Sequence, residues 1–199
     1  LDSAFEHFGE NEFNYSVSHY LKKVNDLLRD RLFQDQGRWL QQTINDGDAL
    51  SHGFVFDMSL PLSLIIKDAK KLNVKANMSR NWSTVNNVAG PNNRFAEQAK
   101  FNANFSVDYK LNDAWKMGAT YGIVSGGPLR LAPDRINLIQ VRRSSTAYVN
   151  WIVNKEVNLR IFASNLLVQP VYSQSTIFAQ GETMTTRTQS RGVMFSSIS

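Results

Sequence analysis

The chain has 199 residues, a net charge of +5 and a mean hydropathy of -0.32. It contains no cysteine, which excludes a disulfide framework and a thiolate metal site, and its three histidines are scattered without ligand spacing. We therefore expect no metal and no cofactor. Lysine and arginine are spread along the chain rather than gathered in one helix or arm, so nucleic acid is not an expected partner.

Nothing in the sequence indicates catalysis or a transmembrane helix. No apolar run reaches the roughly 18 residues of a membrane-spanning helix. Ser125 lacks the glycine two residues before it that a nucleophile elbow uses. The histidines have no convincing serine or carboxylate partner in sequence. The chain is therefore not expected to be an enzyme.

The hydrophobic pattern predicts about nine strands. For Asn25–Leu32 a short amphipathic helix is the alternative, because Leu27 and Leu28 break the strand alternation. The predicted strands cover residues 1–8, 12–33, 38–62, 72–84, 99–111, 115–125, 138–153, 157–167 and 184–199.

The clearest alternation lies between Phe101 and Leu111, where every odd residue is apolar and every even residue is polar. Residues 72–84 repeat it. Soluble sandwiches alternate too. These strands run to 11–13 residues, however, close to the about 9 to 11 residues that cross a bilayer at a tilt.

Aromatic residues on the apolar side of these strands lie near the strand ends, as two interfacial girdles require. Arg80 shares this side, one pair below Trp82, where a charge is tolerated only close to the interface. The alternative is a soluble β-rich binding module. The predicted girdle residues are Trp82, Phe101, Tyr109, Trp115 and Trp151.

If lipid covers the apolar side, alternate residues face outward and their neighbours face a lumen. The residues expected to face outward are Ala103, Phe105, Val107, Ala119, Val149 and Ile161. Those expected to face the lumen are Asn104, Ser106, Thr120, Asn150 and Arg160.

Short turns alternate with long connections along the chain. Bacterial outer-membrane barrels place short turns in the periplasm and long loops outside. The pattern therefore predicts a bacterial outer-membrane location, with membrane lipid and lipopolysaccharide as partners. The short turns are residues 9–11, 63–71, 112–114 and 154–156, and the long connections are 85–97, 126–137 and 168–183, with a further tip at 34–38.

Nine is an odd number of strands, whereas single-chain bacterial barrels have an even number, and unpaired edges cannot be satisfied in lipid. We therefore expect an all-β antiparallel meander of about nine long strands whose first and last strands are unpaired on one side. Residues 1–199 would then be an incomplete segment of a transmembrane β-barrel.

Three stretches resemble one protein family. TINDGDALSHGFVFDMSL resembles the long downward strand of TonB-dependent outer-membrane receptors, with its pattern of Asn45, Gly47, Ala49 and Gly53. The family commonly has Glu two residues after that last glycine, where this chain has Val55. NDLLRDRLFQDQGRWLQQTIND is similar to the strands and outer tip that precede it. NLRIFASNLLVQPVY is similar to the penultimate strand, which Asn165, Leu166 and Leu167 close before Tyr172.

The resemblance implies a C-terminal barrel portion of a siderophore-receptor type protein, without its plug and earlier strands. Such receptors take up a scarce ligand, usually a ferric siderophore, and are energised by TonB through the plug. A passive outer-membrane porin is the alternative that shares the strand pattern.

Cationic residues in the long connections are candidate contacts for an anionic ligand. Arginines at the outer surface of such a membrane also bind lipopolysaccharide phosphates or simply solvate a loop. The candidates are Arg94, Arg130, Arg135, Arg142 and Arg143.

Overall fold

Strands dominate the chain, as the alternating sequence predicts. The computed structural model describes residues 1–9, 12–69, 71–96, 98–132, 134–167, 170–179, 182–190 and 194–198. Within these ranges there are fifteen strands, and a short 3-10 helix covers Leu62–Leu64. No helix of the described residues is both long and apolar enough to cross a membrane.

Nine of these strands form one sheet in which chain neighbours are also spatial neighbours, and every pair is antiparallel. This confirms the predicted all-β antiparallel meander. The order across the sheet is β1 (Asp2–Phe8), β2 (Asn14–Val24), β5 (Ala49–Pro61), β6 (Leu72–Val85), β7 (Phe101–Lys110), β8 (Trp115–Val124), β11 (Arg142–Ile152), β12 (Asn158–Ser164) and β15 (Met194–Ile198).

The described strands leave the sheet open at both ends, as expected. Among the described strands, β1 pairs only with β2, and β15 pairs only with β12.

Six further strands form two smaller sheets within the long connections. A hairpin consists of β3 (Leu28–Asp35) and β4 (Arg38–Asn45). The outer sheet has the order β14 (Glu182–Ser190), β13 (Val171–Ala179), β10 (Arg135–Ile139) and β9 (Gly127–Ala132).

Two predicted long strands, 12–33 and 38–62, are each broken in two, and the helix alternative for Asn25–Leu32 is wrong. Asp26 and Gly47 have positive φ of 54° and 75°, which interrupts an extended backbone. The amide N–H of Leu27 donates to the Gly47 carbonyl between the breaks. The chain therefore pairs as a hairpin beyond the main sheet.

The connections 126–137 and 168–183 were predicted as loops, but both contribute strands to the outer sheet. The predicted strand 138–153 is likewise divided, because β10 belongs to the outer sheet and β11 to the main one. The predicted strand 184–199 is divided between β14 and β15. Residues 133, 168, 169, 180, 181, 191–193 and 199 of these predicted segments lie outside the described residues, as do residues 10, 11, 70 and 97 of the other predicted connections.

All short connections lie at one end of the main sheet and all long ones at the other, as predicted. The long end also carries the buried apolar cluster of Ala49, Val85 and Val88, against which Val24, Leu27 and Phe95 pack. Ala49 pairs with both Val24 and Val85, so this cluster joins three neighbouring strands to the connection after β6.

Candidate functional site

The strand register separates the main sheet into two chemically distinct faces. Directly paired residues of antiparallel strands lie on the same face. The apolar face is defined by rows such as Phe5–Val17–Phe56–Met78–Ala103–Ile123 and Leu60–Val74–Val107–Ala119–Ala147–Ala163. The polar face is defined by rows such as Glu6–Ser16–Asp57–Asn77–Asn104–Gly122–Ser144.

Large side chains on the apolar face remain exposed. Phe54 is 50% exposed, Phe105 43% and Ile161 55%. A second layer of secondary structure would bury such residues in a soluble sandwich. The described residues provide no such layer, so an apolar surface runs across the main sheet.

The outward and inward sets separate onto these two faces as predicted. Five of the outward residues are partly or fully exposed on the apolar face, whereas Ala103 is 1% exposed. Its small side chain lies between Met78 and Ile123, which pair with it from either side. The residues predicted to face a lumen all occupy the polar face.

The predicted girdle residues lie at the two ends of the apolar face. Trp82 and Phe101 are at the end with long connections, and Tyr109, Trp115 and Trp151 are at the other. The rings of Trp115 and Trp151 stack with centroids 5.2 Å apart, while Trp82 stacks on His52 at 5.3 Å.

The spacing between these aromatic ends can be compared with a bilayer. Trp82 lies ten residues along β6 from Leu72, the partner of Tyr109, which is roughly 33 Å of strand at about 3.3 Å per residue. At the strand tilt of roughly 40° that outer-membrane barrels have, this length would correspond to a height of about 25 Å, the height of their apolar band.

Arg80 occupies the apolar face beside the Trp82 ring. Its guanidinium carbon lies 5.4 Å from the centroid of that ring, a distance at which a cation and an aromatic face attract each other. The contact directs the charged group toward the aromatic end of the face, as expected from the sequence.

The polar face carries a ladder of side chains across five strands, formed by Lys75, Asp108, Tyr148 and Arg160. Lys75 Nζ lies 3.2 Å from one oxygen of Asp108. The Tyr148 hydroxyl donates to the other oxygen at 2.7 Å, and the Arg160 guanidinium lies 4.3 Å from the Tyr148 ring centroid. Gly118 stands between Asp108 and Tyr148 and leaves room for them to meet, because a Cβ there would lie 2.7 Å from each.

The motif that carries the family resemblance has a local physical explanation. The Asn45 side chain accepts a bond from the Gly47 N–H at 2.7 Å, which stabilises the turn at the strand break. Ala49 is small enough for the buried cluster. At Gly53 a Cβ would lie 2.6 Å from the Arg80 carbonyl and 2.8 Å from the Tyr20 ring, and the Tyr20 hydroxyl donates to Asn81 at 2.8 Å.

The five candidate arginines have different structural surroundings. Arg94 is only 5% exposed. Its Nε donates to the Gln98 carbonyl at 3.1 Å and its Nη1 to the Pro128 carbonyl at 2.8 Å. Burial lowers the pKa of Arg94 from its ordinary value. This residue therefore attaches the connection after β6 to β9.

The other four candidates lie on strands. Arg130 and Arg135 belong to the outer sheet. Arg142 and Arg143 begin β11 and are exposed, but as successive strand residues they point to opposite faces. Arg142 pairs with Val124 on the polar face and Arg143 with Ile123 on the apolar face, so the two are not arranged to hold one ligand together.

No local sequence pattern indicates the contact that joins the hairpin to the outer sheet. Arg29 Nε lies 3.6 Å from the buried carboxylate of Asp46, and the Arg29 side chain is itself only 10% exposed. Arg29 Nη2 also donates to the Leu131 carbonyl of β9 at 2.8 Å. These partners are separated by 17 and 102 residues, too far apart for any local pattern.

The described residues contain no group of three or more His, Cys, Asp or Glu that could hold a metal ion. A scan against protein-family models finds no match, and searches of curated proteins and of solved structures find no similar chain.

Proposed function

We propose that this chain is part of the transmembrane β-barrel of a bacterial outer-membrane receptor. The observation that carries the proposal is the uncovered apolar face of a nine-stranded antiparallel sheet. Lipid is the surface that satisfies such a face, and a lumen suits the polar one. Aromatic residues at both ends of the apolar face support the same placement.

More specifically, we propose that the receptor is a TonB-dependent receptor that actively takes up a ferric siderophore. It is supported by the motif from Asn45 to Gly53, whose residues each have a structural role at the junction of hairpin and barrel strand. The long connections fold into additional sheets, which suits a receptor that captures a large ligand outside the membrane.

Site-directed labelling tests the membrane proposal. Single cysteines at Phe105 and Ser106, in a chain that has no native cysteine, are treated with a lipid-soluble and a water-soluble thiol reagent in membranes. We expect the lipid-soluble reagent to modify position 105 and the water-soluble one to modify position 106. Equal labelling of the two positions by both reagents would show that the two faces do not meet different solvents.

Uptake by the whole receptor tests the finer proposal. We expect saturable uptake of an iron chelate that a protonophore abolishes, because energy coupling through TonB needs the proton-motive force. Uptake that rises linearly with solute concentration and resists the protonophore would instead indicate a passive porin. That outcome would leave the barrel placement intact.

A further inference from the structure

A cleft of about 430 Å³ lies at one end of the outer sheet, outside the nine-stranded sheet. We call it the outer cleft, and its volume falls within the roughly 300 to 1,000 Å³ of small-molecule pockets. It is lined by Gly127, Leu138–Val141, Tyr172–Gln174 and Arg187.

Much of the wall of the outer cleft is apolar. Leu138 is 48% exposed and Tyr172 41%, and Ile139 and Val141 continue the lining. The N–H of Gln140 donates to the Tyr172 carbonyl at 3.2 Å, which holds the segment before β11 against the start of β13. A Cβ at Gly127 would meet no atom within 4 Å, so the cleft is open beside this residue.

Arg187 is the one cation in the described lining of the outer cleft, and a neighbouring residue fixes its position. Leu138, Gln174 and Arg187 are paired in a row across β10, β13 and β14 and therefore share a face. Arg187 Nε donates to Gln174 Oε1 at 3.1 Å, and Gln174 Nε2 donates in turn to Thr176 at 3.3 Å. The amide is thus oriented with its oxygen toward the guanidinium.

This arrangement leaves the two terminal nitrogens of the Arg187 guanidinium for a ligand. Among the described residues no side chain or carbonyl bonds to the terminal nitrogens of Arg187. No acidic residue belongs to the described lining. A guanidinium whose Nε is already held loses less freedom when its two terminal donors bind a carboxylate.

We propose that the outer cleft binds a small carboxylate that carries an aromatic or aliphatic body. The carboxylate pairs with Arg187, and the apolar body lies against Leu138 and the Tyr172 ring. This site was not predicted from the sequence, and it does not depend on the transport proposal, because neither lipid nor energy coupling enters the geometry.

Binding of 2-naphthoate to the whole protein in nanodiscs of zwitterionic lipid tests this inference. Fluorescence anisotropy of the probe measures its dissociation constant, and neutral 2-naphthalenemethanol is the matched ligand. We expect saturable binding of both and tighter binding of the carboxylate. Arg187→Gln should weaken 2-naphthoate binding about tenfold, as expected for one charge-assisted contact, and leave the alcohol unchanged.

Two further variants make the result specific. Arg38→Gln removes the same charge from an exposed position on β4 and should change neither constant. Tyr172→Ala should weaken both ligands to a similar extent, because it removes apolar wall rather than charge.

The unmodified protein offers a test that no folding defect can obscure. Rising salt should weaken 2-naphthoate and not the alcohol, since only the former binds through an ion pair near solvent. Equal affinities for the two ligands, equal effects of Arg187→Gln and Arg38→Gln, or no saturable binding would each overturn the proposal. None of these results bears on uptake, which is tested separately by the protonophore.

Discussion

At the scale of single residues, glycines determine which side chains meet on the polar face. Gly53 and Gly118 each lie beside larger partners from adjacent strands, and a Cβ at either position would approach a backbone carbonyl at 2.6 or 2.8 Å. At Gly122 the nearest atoms are instead the ends of the Ser144 and Asn104 side chains, at 2.5 and 2.7 Å. Such side chains can rotate away, whereas a paired carbonyl cannot.

Gly53→Ala should therefore destabilise the protein more than Gly122→Ala. We expect a loss of about 1 to 3 kcal/mol for the first, the usual cost of inserting a methyl group into a packed site. The second should cost clearly less. Urea unfolding in lipid vesicles measures both, and equal losses would contradict the distinction between backbone and side-chain neighbours.

The two faces can also be distinguished by single charges. Val107→Lys places an ammonium on the apolar face, opposite Val74 and Ala119, and should cost about 2 to 4 kcal/mol near the middle of a bilayer. Asn104→Lys is the control, because its side chain is exposed on the polar face. If both variants unfolded at the same urea concentration in vesicles, lipid would not cover the apolar face.

At the scale of elements, most of the main sheet could be predicted because apolar and polar residues alternate along its strands, which gives each of these strands one apolar and one polar face. The outer sheet could not. β10 pairs with β13 across 38 residues at Asn137 and Ser175, and Gly126 and Pro128 at the start of β9 are residues typical of loops. Pairing between distant segments leaves no periodic signal in either one.

The candidate site, like the fold, could be predicted only in part from the sequence. The girdle residues follow from alternation and lie at the ends of the apolar face. The burial of Arg94 does not follow, because its partners are the carbonyls of Gln98 and Pro128, which only the folded connection brings near. Arg187 likewise acquires its position through pairing with Gln174.

The β3–β4 hairpin should lose stability in acid. Asp30 accepts hydrogen bonds from Thr43 at 2.6 Å and Gln41 at 3.0 Å, and these bonds lower its pKa from the ordinary 3.8. The group binds protons less readily in the folded hairpin, so its contribution is present above pH of about 4 and is lost as the pH falls through the lowered pKa.

Amide hydrogen exchange of the hairpin as a function of pH measures this effect. After correction for intrinsic exchange, the protection of amides in β3 and β4 should decrease at pH values below the ordinary pKa of aspartate. Asp30→Asn should remove that pH dependence. A profile that is the same in the variant would assign the acid sensitivity to another group.

At the scale of the whole molecule, Arg29 links the hairpin to the outer sheet. Asp46 lies at the base of the hairpin, and its partner Arg29 also donates to the Leu131 carbonyl. The pair of Lys23 and Asp48, at 3.4 Å, lies nearby, and its side chains are exposed. The two pairs therefore offer a direct comparison of a buried and a solvated contact.

Asp46→Ala should cost about 3 to 5 kcal/mol, because it leaves the charge of Arg29 buried without its carboxylate. Asp48→Ala should cost at most about 1 kcal/mol, as is usual for exposed pairs. Hydrogen exchange should show the loss of protection in both β3 and β9 for the first variant. Loss confined to β3 would mean that the hairpin and the outer sheet are not coupled.

The ladder of Lys75, Asp108, Tyr148 and Arg160 has a consequence for the register in which the strands pair. A slip of one residue is opposed by the two faces themselves, since it would turn every apolar side chain to the wrong side. A slip of two residues preserves the faces, so alternation cannot oppose it. It would, however, move Tyr148 roughly 6 to 7 Å along β11 and away from Asp108 and Gly118. The ladder thus favours one alignment among those that the hydrophobic pattern leaves equivalent.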